Sequence, residues 1–315
     1  RDSYESETNN KFLVRESVTA ELSSNWRTEL NVYSLLLGST DKGSAATALQ
    51  NGTEESNRSP KLERHWHDSH KLDAYLTVDR INVRGRVAGT EVAVGRFPID
   101  TSTTVLFTPN DFFAPFRPFQ YYREYKPGVD AISLDRPLGP KGQLTVFGVA
   151  GYESEAKIAR VGKSQQSRYS AKSSSIMGRA GYTIEGVEGS VLVGKHGLYD
   201  VAGFTLQGQL KDFGIKAEGH QRRHREKSIS AAEVAFGLDY RLTPTVLLQF
   251  EQFFNGVGYG SASEYERVKK DEDPPLYYLG RNYSGLVTSY EVTPLLNLKG
   301  ILIGNHTDHS ALLST

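Results

Sequence analysis

Residues Ala231–Leu242, AAEVAFGLDYRL, decide how the rest of the chain is read. Every second residue from Ala232 is apolar: Ala232, Val234, Phe236, Leu238, Tyr240 and Leu242. The residues between them, Ala231, Glu233, Ala235, Gly237, Asp239 and Arg241, are small or charged. A period of two sends these sets to opposite faces of a β-strand. An amphipathic helix would instead repeat its apolar residues at i, i+3, i+4 and i+7. The next segment continues the alternation, with Val246, Leu248 and Phe250 against Gln249 and Glu251.

The same period recurs outward from this stretch. Phe12, Val14, Val18, Ala20 and Leu22 oppose Arg15, Ser17, Thr19 and Glu21, with Glu16 an exception on the apolar side. Leu30 and Val32 oppose Glu29, Asn31 and Tyr33, and Phe204, Leu206, Gly208 and Leu210 oppose Thr205, Gln207 and Gln209. Leu296, Leu298 and Leu302 oppose Asn297 and Lys299, but Ile301 and Ile303 break that pattern. Parity around Tyr75–Asp79 stays open, because Leu76 and Val78 compete with Tyr75 and Thr77 for the apolar face. No apolar run approaches the roughly 20 residues of a membrane-spanning helix.

Composition narrows the classes further. The chain of 315 residues holds Gly 30, Tyr 17 and Phe 14 beside Cys 0 and Met 1. Without cysteine there is neither a disulfide framework nor a thiolate metal site. Basic and acidic residues balance at 37 each, so no global basic field marks a nucleic-acid partner. The chain begins RDSYESETNN, with no export signal visible; in an exported protein that segment would have been removed.

Connections alternate between short and long. Short turns are expected near Ser23–Asn25, Ala88–Gly89, Leu138–Gly142, Glu185–Gly186, Lys211–Asp212, Thr243–Thr245 and Thr293–Pro294. Long connections are expected at Gly38–His70, Ile99–Pro127, Gly151–Ser174, His220–Lys227 and Asn255–Arg281, with a shorter one near Lys195–Tyr199. Short turns on one side and long loops on the other, with dyad repeats between, make the pattern of a transmembrane barrel. A soluble β-sandwich, with one face as core and the other in water, is the competing reading. An internal echo supports the barrel. DYRLTPT (Asp239–Thr245) matches SYEVTPL (Ser289–Leu295) in layout, and GYTIEG (Gly181–Gly186) is a weaker copy. Tyr240, Tyr290 and Tyr182 each precede a short turn, and Trp26 sits beside the first one, where an aromatic girdle meets the membrane–water interface.

The fold class expected is therefore all-β, a transmembrane antiparallel up-and-down β-barrel forming a single domain over 1–315. At the 9–11 residues of a tilted membrane strand, the chain holds about 14 strands. Ala311–Thr315 reads as the start of another strand, and the direction of Phe12–Leu22 implies one before it. Truncation at both ends is expected, with about 16–18 strands in the whole barrel, a size that leaves an aqueous channel.

Several segments also carry a resemblance. DRINVRGRVAGTEVAVGRFPI (Asp79–Ile99), FTPNDFFAPFRPF (Phe107–Phe119), KPGVDAISLDRPLG (Lys126–Gly139) and LGRNYSGLVTSYEVTPLLNL (Leu279–Leu298) resemble Gram-negative porin-like outer-membrane proteins. The resemblance covers most of the chain, and the strand–turn–strand ending in Val-Gly-Arg is common to several porin families. It implies a β-barrel of the bacterial outer membrane and passage of small solutes. This chain lacks the closing strand such proteins carry.

Arg80, Arg84 and Arg86 share one parity with Asn82, opposite Ile81, Val83 and Val87. Arginine facing lipid at mid-depth costs about 2–4 kcal/mol, so these residues are expected to line the pore. Arg96 follows on the neighbouring strand, where Gly95 can shift the parity. Glu218, Glu233, Asp239 and Glu251 form the expected acidic side, and Arg241 shares the parity of Asp239. Such charges either set solute selectivity or brace the interior as salt bridges, and both readings stand at this point. A basic wall would favour anions.

The connection 99–127 is unusually apolar, with Phe107, Phe112, Phe113, Phe116, Phe119, Tyr121 and Tyr122. Loops are usually polar and exposed, so an infolded constriction loop is expected, with Phe112, Phe113 and Phe116 on the wall and Arg117 and Arg123 towards the channel. The competing readings are an outer loop packed on its neighbours and a contact for a partner protein. No metal and no cofactor is expected: His65, His67 and His70, and His220 and His224, lie on connections that fix no fourth ligand. Asp271–Asp273 reads as a solvated acidic run.

The function expected is a porin-like channel for passive diffusion of small, hydrophilic, anion-leaning solutes. Its partners are those solutes, outer-membrane lipid and lipopolysaccharide, and either further copies of itself or a partner protein. The alternative is a barrel sheath around an electron-transfer or secretion partner. An outer-membrane hydrolase ranks last, since no Gly-x-Ser-x-Gly elbow or placed nucleophile–base pair is found.

Overall fold

The alternation is realised as a long antiparallel meander. The computed structural model describes residues 9–39, 57–59, 62–68, 72–115, 125–154, 167–269 and 278–314. The first strands are β1 (Asn9–Ser23), β2 (Trp26–Ser39), β3 (Glu63–Asp68), β4 (Leu72–Val87), β5 (Thr90–Phe97), β6 (Val129–Leu138), β7 (Gly142–Val149), β8 (Tyr152–Ser154) and β9 (Ser167–Tyr169). They are followed by β10 (Ser175–Ile184), β11 (Val187–His196), β12 (Tyr199–Leu210), β13 (Phe213–His224), β14 (Ser230–Thr243), β15 (Val246–Asn255), β16 (Asn282–Thr293), β17 (Leu296–Asn305) and β18 (Ala311–Ser314). A single 3-10 helix, Ala262–Lys269, sits among the described residues between β15 and β16. All strands but β8 and β9 form one 16-stranded sheet. Its order follows the chain from β1 to β18, except that β3 leaves the path to pair with β4 and the β8–β9 hairpin stands apart.

Each short turn falls where the sequence places it, and the backbone shows why. Ala88 and Gly89 have φ 48° and 78°, and Glu185 and Gly186 have φ 48° and 82°. Positive φ at both central residues is the hairpin turn whose twist matches paired strands. At the other end, one expected loop is shorter than the sequence suggests. β13 continues through His224, so His220–Lys227 is mostly strand, and only 225–229 connect it to β14. His65 and His67 likewise lie in β3 rather than in a loop, while His70 and Asp271–Asp273 fall outside the described residues.

Two local irregularities set which way key side chains point. Asn31 pairs with Arg80 and Val32 with Val78, leaving Asp79 as an extra residue in β4. This bulge resolves the parity left open by the sequence: Thr77, Asp79 and Asn82 are all buried, while Ile81 and Val83 are exposed. On β5, Gly95 has φ 124°, a conformation that only glycine adopts readily. Arg96 is thereby buried although its register partner Ile81 is exposed.

The chain divides into two compact units. The first comprises Arg1–Ile99, Tyr122–Arg136 and Val146–Ile176, and the second Asp100–Tyr121, Pro137–Thr145 and Met177–Thr315. In both, burial is inverted relative to a protein in water. Arg96, Glu218 and Glu251 are at most 2% exposed, whereas Val191, Val193 and Ile184 are about 60% exposed. Along β14 the expected charged face, Ala231, Ala235 and Gly237, is buried, and Val234, Phe236, Tyr240 and Leu242 are exposed. Leaving one large apolar side chain in water forfeits about 1.5–3 kcal/mol, and dozens are exposed against a whole-protein stability of only about 5–15 kcal/mol. The soluble sandwich is ruled out by this inversion.

Candidate functional site

In the second unit, the polar face of the sheet is covered by residues 100–115. Two carboxylates hold this segment. Glu251 on β15 accepts N–H bonds from Val105 (2.6 Å), Leu106 (2.9 Å) and Phe107 (2.9 Å). Glu218 on β13 accepts from the amides of Thr103, Thr104 and Asn110. Asn110 in turn donates to the carbonyl of Phe204 on β12 at 2.8 Å. A buried irregular segment must pair its amides, and ionised acceptors make the stronger version of that bond. Both glutamates are fully buried, and each carboxyl group is met by three peptide N–H groups.

Between these two clamps the segment is anchored by packing. Leu106 and Phe107 bury themselves among Ala235, Phe253, Tyr283, Val287 and Ile303. The Phe107 ring stacks on Phe253 at 5.2 Å and meets Tyr278 edge-on at 5.2 Å. A side chain at Gly285 would collide with Leu106, which is why that position on β16 carries none. Further along, Phe112 lies against His220 (4.9 Å) and His196 (5.3 Å), and Phe113 against His196 (5.3 Å). Ile301 and Ile303, which break the alternation in the sequence, are thereby explained: both pack in this anchor.

In the first unit, residues 57–59 are tied to the polar face in a different way. The Arg96 guanidinium bonds Asp130 (2.7 Å), the carbonyl of Val78 (3.0 Å) and the carbonyl of Ser59 (3.0 Å). Asp130 also accepts the Ser59 amide at 2.7 Å and the Tyr152 hydroxyl at 3.1 Å. On β8, outside the large sheet, burial and the adjacent Asp130 carboxylate push the Tyr152 phenol up to about 12. Asn57 donates to the carbonyl of Ala150 at 3.2 Å. Next to this cluster, Asp79 pairs with Arg15 at 2.8 Å and lies 3.6 Å from Arg58.

No family model and no curated protein matches the chain. Solved structures do. Salmonella typhi OmpF, solved in complex with daunomycin, aligns over 95% of this chain and 84% of its own, with TM-score 0.53 and 8% identity. A triple mutant of the Rhodopseudomonas blastica porin aligns over 97% and 88%, with TM-score 0.52 and 9% identity. The fold is that of a porin-like β-barrel. At such identities the likeness concerns the fold alone; what the barrel's side chains do must come from their own geometry.

Within this barrel, Arg80 and Arg84 share the polar face of β4 with Asn82. Arg80 lies 3.4 Å from Glu29 and donates to the carbonyl of Lys126 at 3.2 Å. Arg84 donates to Asn82 at 3.1 Å and sits over the Phe97 ring at 5.2 Å, whereas Arg86 is exposed near the Ala88–Gly89 turn. Glu233 is half-buried opposite His220. Asp239 pairs with Lys216 at 2.6 Å and accepts from Gln249 at 3.2 Å. Arg241 is exposed and donates to the carbonyl of Pro244 at 3.0 Å, closing its own turn. Trp26, Tyr182, Tyr240 and Tyr290 are exposed on the apolar side beside short turns. Phe116, Arg117 and Arg123 lie outside the described residues.

Sequence reasoning missed three features. Residues 57–59 and Lys216 carried no pattern that singled them out. His196 and His220 were readable only as inward parity on strands whose partner segment was unknown. His224, by contrast, closes the turn from the last position of β13: its Nδ1 accepts from the amides of Glu226 and Lys227 at 3.1 and 3.0 Å. A serine–histidine contact also exists, Ser284 Oγ to His306 Nε2 at 2.7 Å, on the apolar side. The same hydroxyl lies 2.6 Å from Gln252, and among the described residues no partner orients the far imidazole nitrogen as a hydrolytic triad requires. No group of three metal-ligating side chains occurs among the described residues.

Proposed function

We propose that this chain forms a passive channel of the bacterial outer membrane for small hydrophilic solutes, narrowed by residues 100–115. One observation carries the reading: an irregular segment is bound across the charged face of a sheet whose other face is apolar and exposed. The apolar face suits lipid, and on this reading the charged face and its segment border water. A sheath around a partner would need that space vacant, so the bound segment favours the channel.

The finer reading is a preference for anions, carried by Arg84 and Arg86. Arg15, Arg80 and Arg96 each have a carboxylate within 4.0 Å and serve to brace the wall. Arg84 donates to a neutral amide and sits over a ring within the field of Glu29, and Arg86 is exposed opposite Glu91 in register. Charge of one sign along a narrow aqueous path raises the local concentration of counter-ions.

Planar-bilayer recording of the purified chain tests both levels, with reversal potential measured under a salt gradient. Steady unitary conductance with an anion-side reversal potential is expected. A silent barrel would overturn the channel, and a cation-side reversal potential would overturn the selectivity alone.

A further inference from the structure

We propose that the connection between β15 and β16 is a latch on the narrowing segment, with Tyr278 as the positioning residue that couples the two. The proposal rests on the channel reading for its effect on conductance, while its contacts all lie within the second unit. The latch has two arms, 255–260 leaving β15 and 278–282 entering β16, and they are bonded to each other. The Asn255 side-chain amide donates to the carbonyls of Tyr278 (2.7 Å) and Gly280 (3.3 Å). The Tyr259 amide donates to the carbonyl of Leu279 at 2.8 Å, and the Arg281 guanidinium donates twice to that of Gly258 at 3.3 Å. A side chain at Gly258 would strike the Gly280 carbonyl, so the close approach of the arms requires glycine there. The outer end is fixed from two further directions. The 3-10 helix Ala262–Lys269 folds back on the first arm, with the Tyr265 ring 6.2 Å from that of Tyr259 and the Arg267 guanidinium 6.0 Å above the Tyr259 ring. Asn305 at the end of β17 donates to the Tyr265 hydroxyl at 2.9 Å, and the Arg281 amide donates to the Thr307 hydroxyl at 2.9 Å.

Tyr278 carries this order to the segment. Its hydroxyl donates to the Leu106 carbonyl at 3.4 Å, and its ring meets Phe107, Phe253 and Tyr283 edge-on at 5.2, 5.6 and 5.0 Å. Phe253 and Tyr283 are strand residues and belong to the wall, whereas Tyr278 comes from the connection. Residues 105–107 are therefore gripped from the wall by Glu251 and from the connection by Tyr278. The contacts of Tyr278 with Leu106 and Phe107 exist only while the segment is docked. By linkage, whatever keeps the arms closed favours the docked segment, and whatever parts them favours its release.

The test is limited chymotrypsin digestion of the purified full chain in detergent, with cuts after Phe107, Phe112 and Phe113 assigned by fragment mass. Planar-bilayer recording and thermal unfolding of the same preparations accompany it. Cutting of a transiently opened segment follows the population of its open form. Tyr278→Ala should speed those cuts about 2- to 12-fold, the loss of one edge-on aromatic pair. Tyr278→Phe keeps the ring and should restore most of the protection. Gly258→Ala, whose methyl group meets Gly280 and Arg281 rather than the segment, should speed the same cuts by parting the arms. Arg225→Ala, in the connection between β13 and β14, should leave the cutting rate unchanged. Faster cutting in both Tyr278→Ala and Gly258→Ala, with more frequent openings to a higher conductance, is the expected result. A lowered thermal midpoint with unchanged cutting in both variants would overturn the latch, because the connection would then brace the sheet alone. The two readings fail separately: a silent barrel whose cuts still quicken keeps the latch and sinks the channel.

Discussion

The polar face is covered in both units, and the two covers are fastened by opposite chemistry. In the first, a guanidinium reaches out from the strand: Arg96 grips the carbonyls of Val78 and Ser59 while Asp130 takes the Ser59 amide. In the second, carboxylates reach out, and Glu218 and Glu251 collect six peptide amides from residues 103–110. Arg96 keeps a counter-charge at 2.7 Å, whereas neither glutamate has a cation within 4.0 Å among the described residues. The first fastening is redundant, since loss of one partner leaves others. The second concentrates its bonds on two side chains and adds an apolar plug at Phe107. The segment over β12–β17 therefore has fewer, stronger points of failure.

The largest effect is expected from Glu218→Ala with Glu251→Ala. Each buried amide left unpaired costs about 1–3 kcal/mol, and such losses are not additive. The double variant should show higher unitary conductance and rapid proteolytic cutting within 100–115; unchanged conductance would mean that the segment does not narrow the path. Asp130→Asn should cost less, about 1–3 kcal/mol, because Arg96 retains two carbonyl partners and the amide still accepts. Thermal unfolding in detergent reads that difference, and an Asp130 variant weaker than the double glutamate variant would reverse the comparison. Gly285→Val should displace Leu106 and lower stability by about 1–3 kcal/mol through overpacking, with conductance noise rising as the plug loosens. Arg84→Ala with Arg86→Ala comes last: stability should stay within about 0.5 kcal/mol, while the reversal potential moves towards zero.

Much of the fold was legible because the physics involved is local. A period of two fixes which face each residue takes, and Gly, Pro and polar pairs mark the turns, so β14 and β15 and the short hairpins could be read directly. The failures have a common cause. The Asp79 bulge depends on how β2 is registered against β4, and the Arg96–Asp130–Ser59 cluster joins residues far apart in sequence. Alternation contains no information of that kind. The apolar anchor was half-legible: Ile301 and Ile303 stood out as parity errors, yet nothing in their own strand said that Phe107 would answer them. The extension of β13 through His224 was hidden by its charged run, since Arg and His mimic a loop when they line a polar face.

The distance in sequence between Glu251 and the amides it holds, 144 to 146 residues, has a temporal meaning. Contacts between neighbouring strands close short loops and form early, whereas contacts of large sequence separation wait until the loop entropy has been met. Residues 103–107 have no binding place until β13, β15 and β16 are side by side, because the carboxylates and the Phe253–Tyr283 pocket come from different strands. During assembly the sheet is therefore completed first, and residues 103–107 dock onto it afterwards. For the channel proposed above, a newly inserted barrel should then pass through a brief leaky stage that ends when Phe107 docks in its pocket.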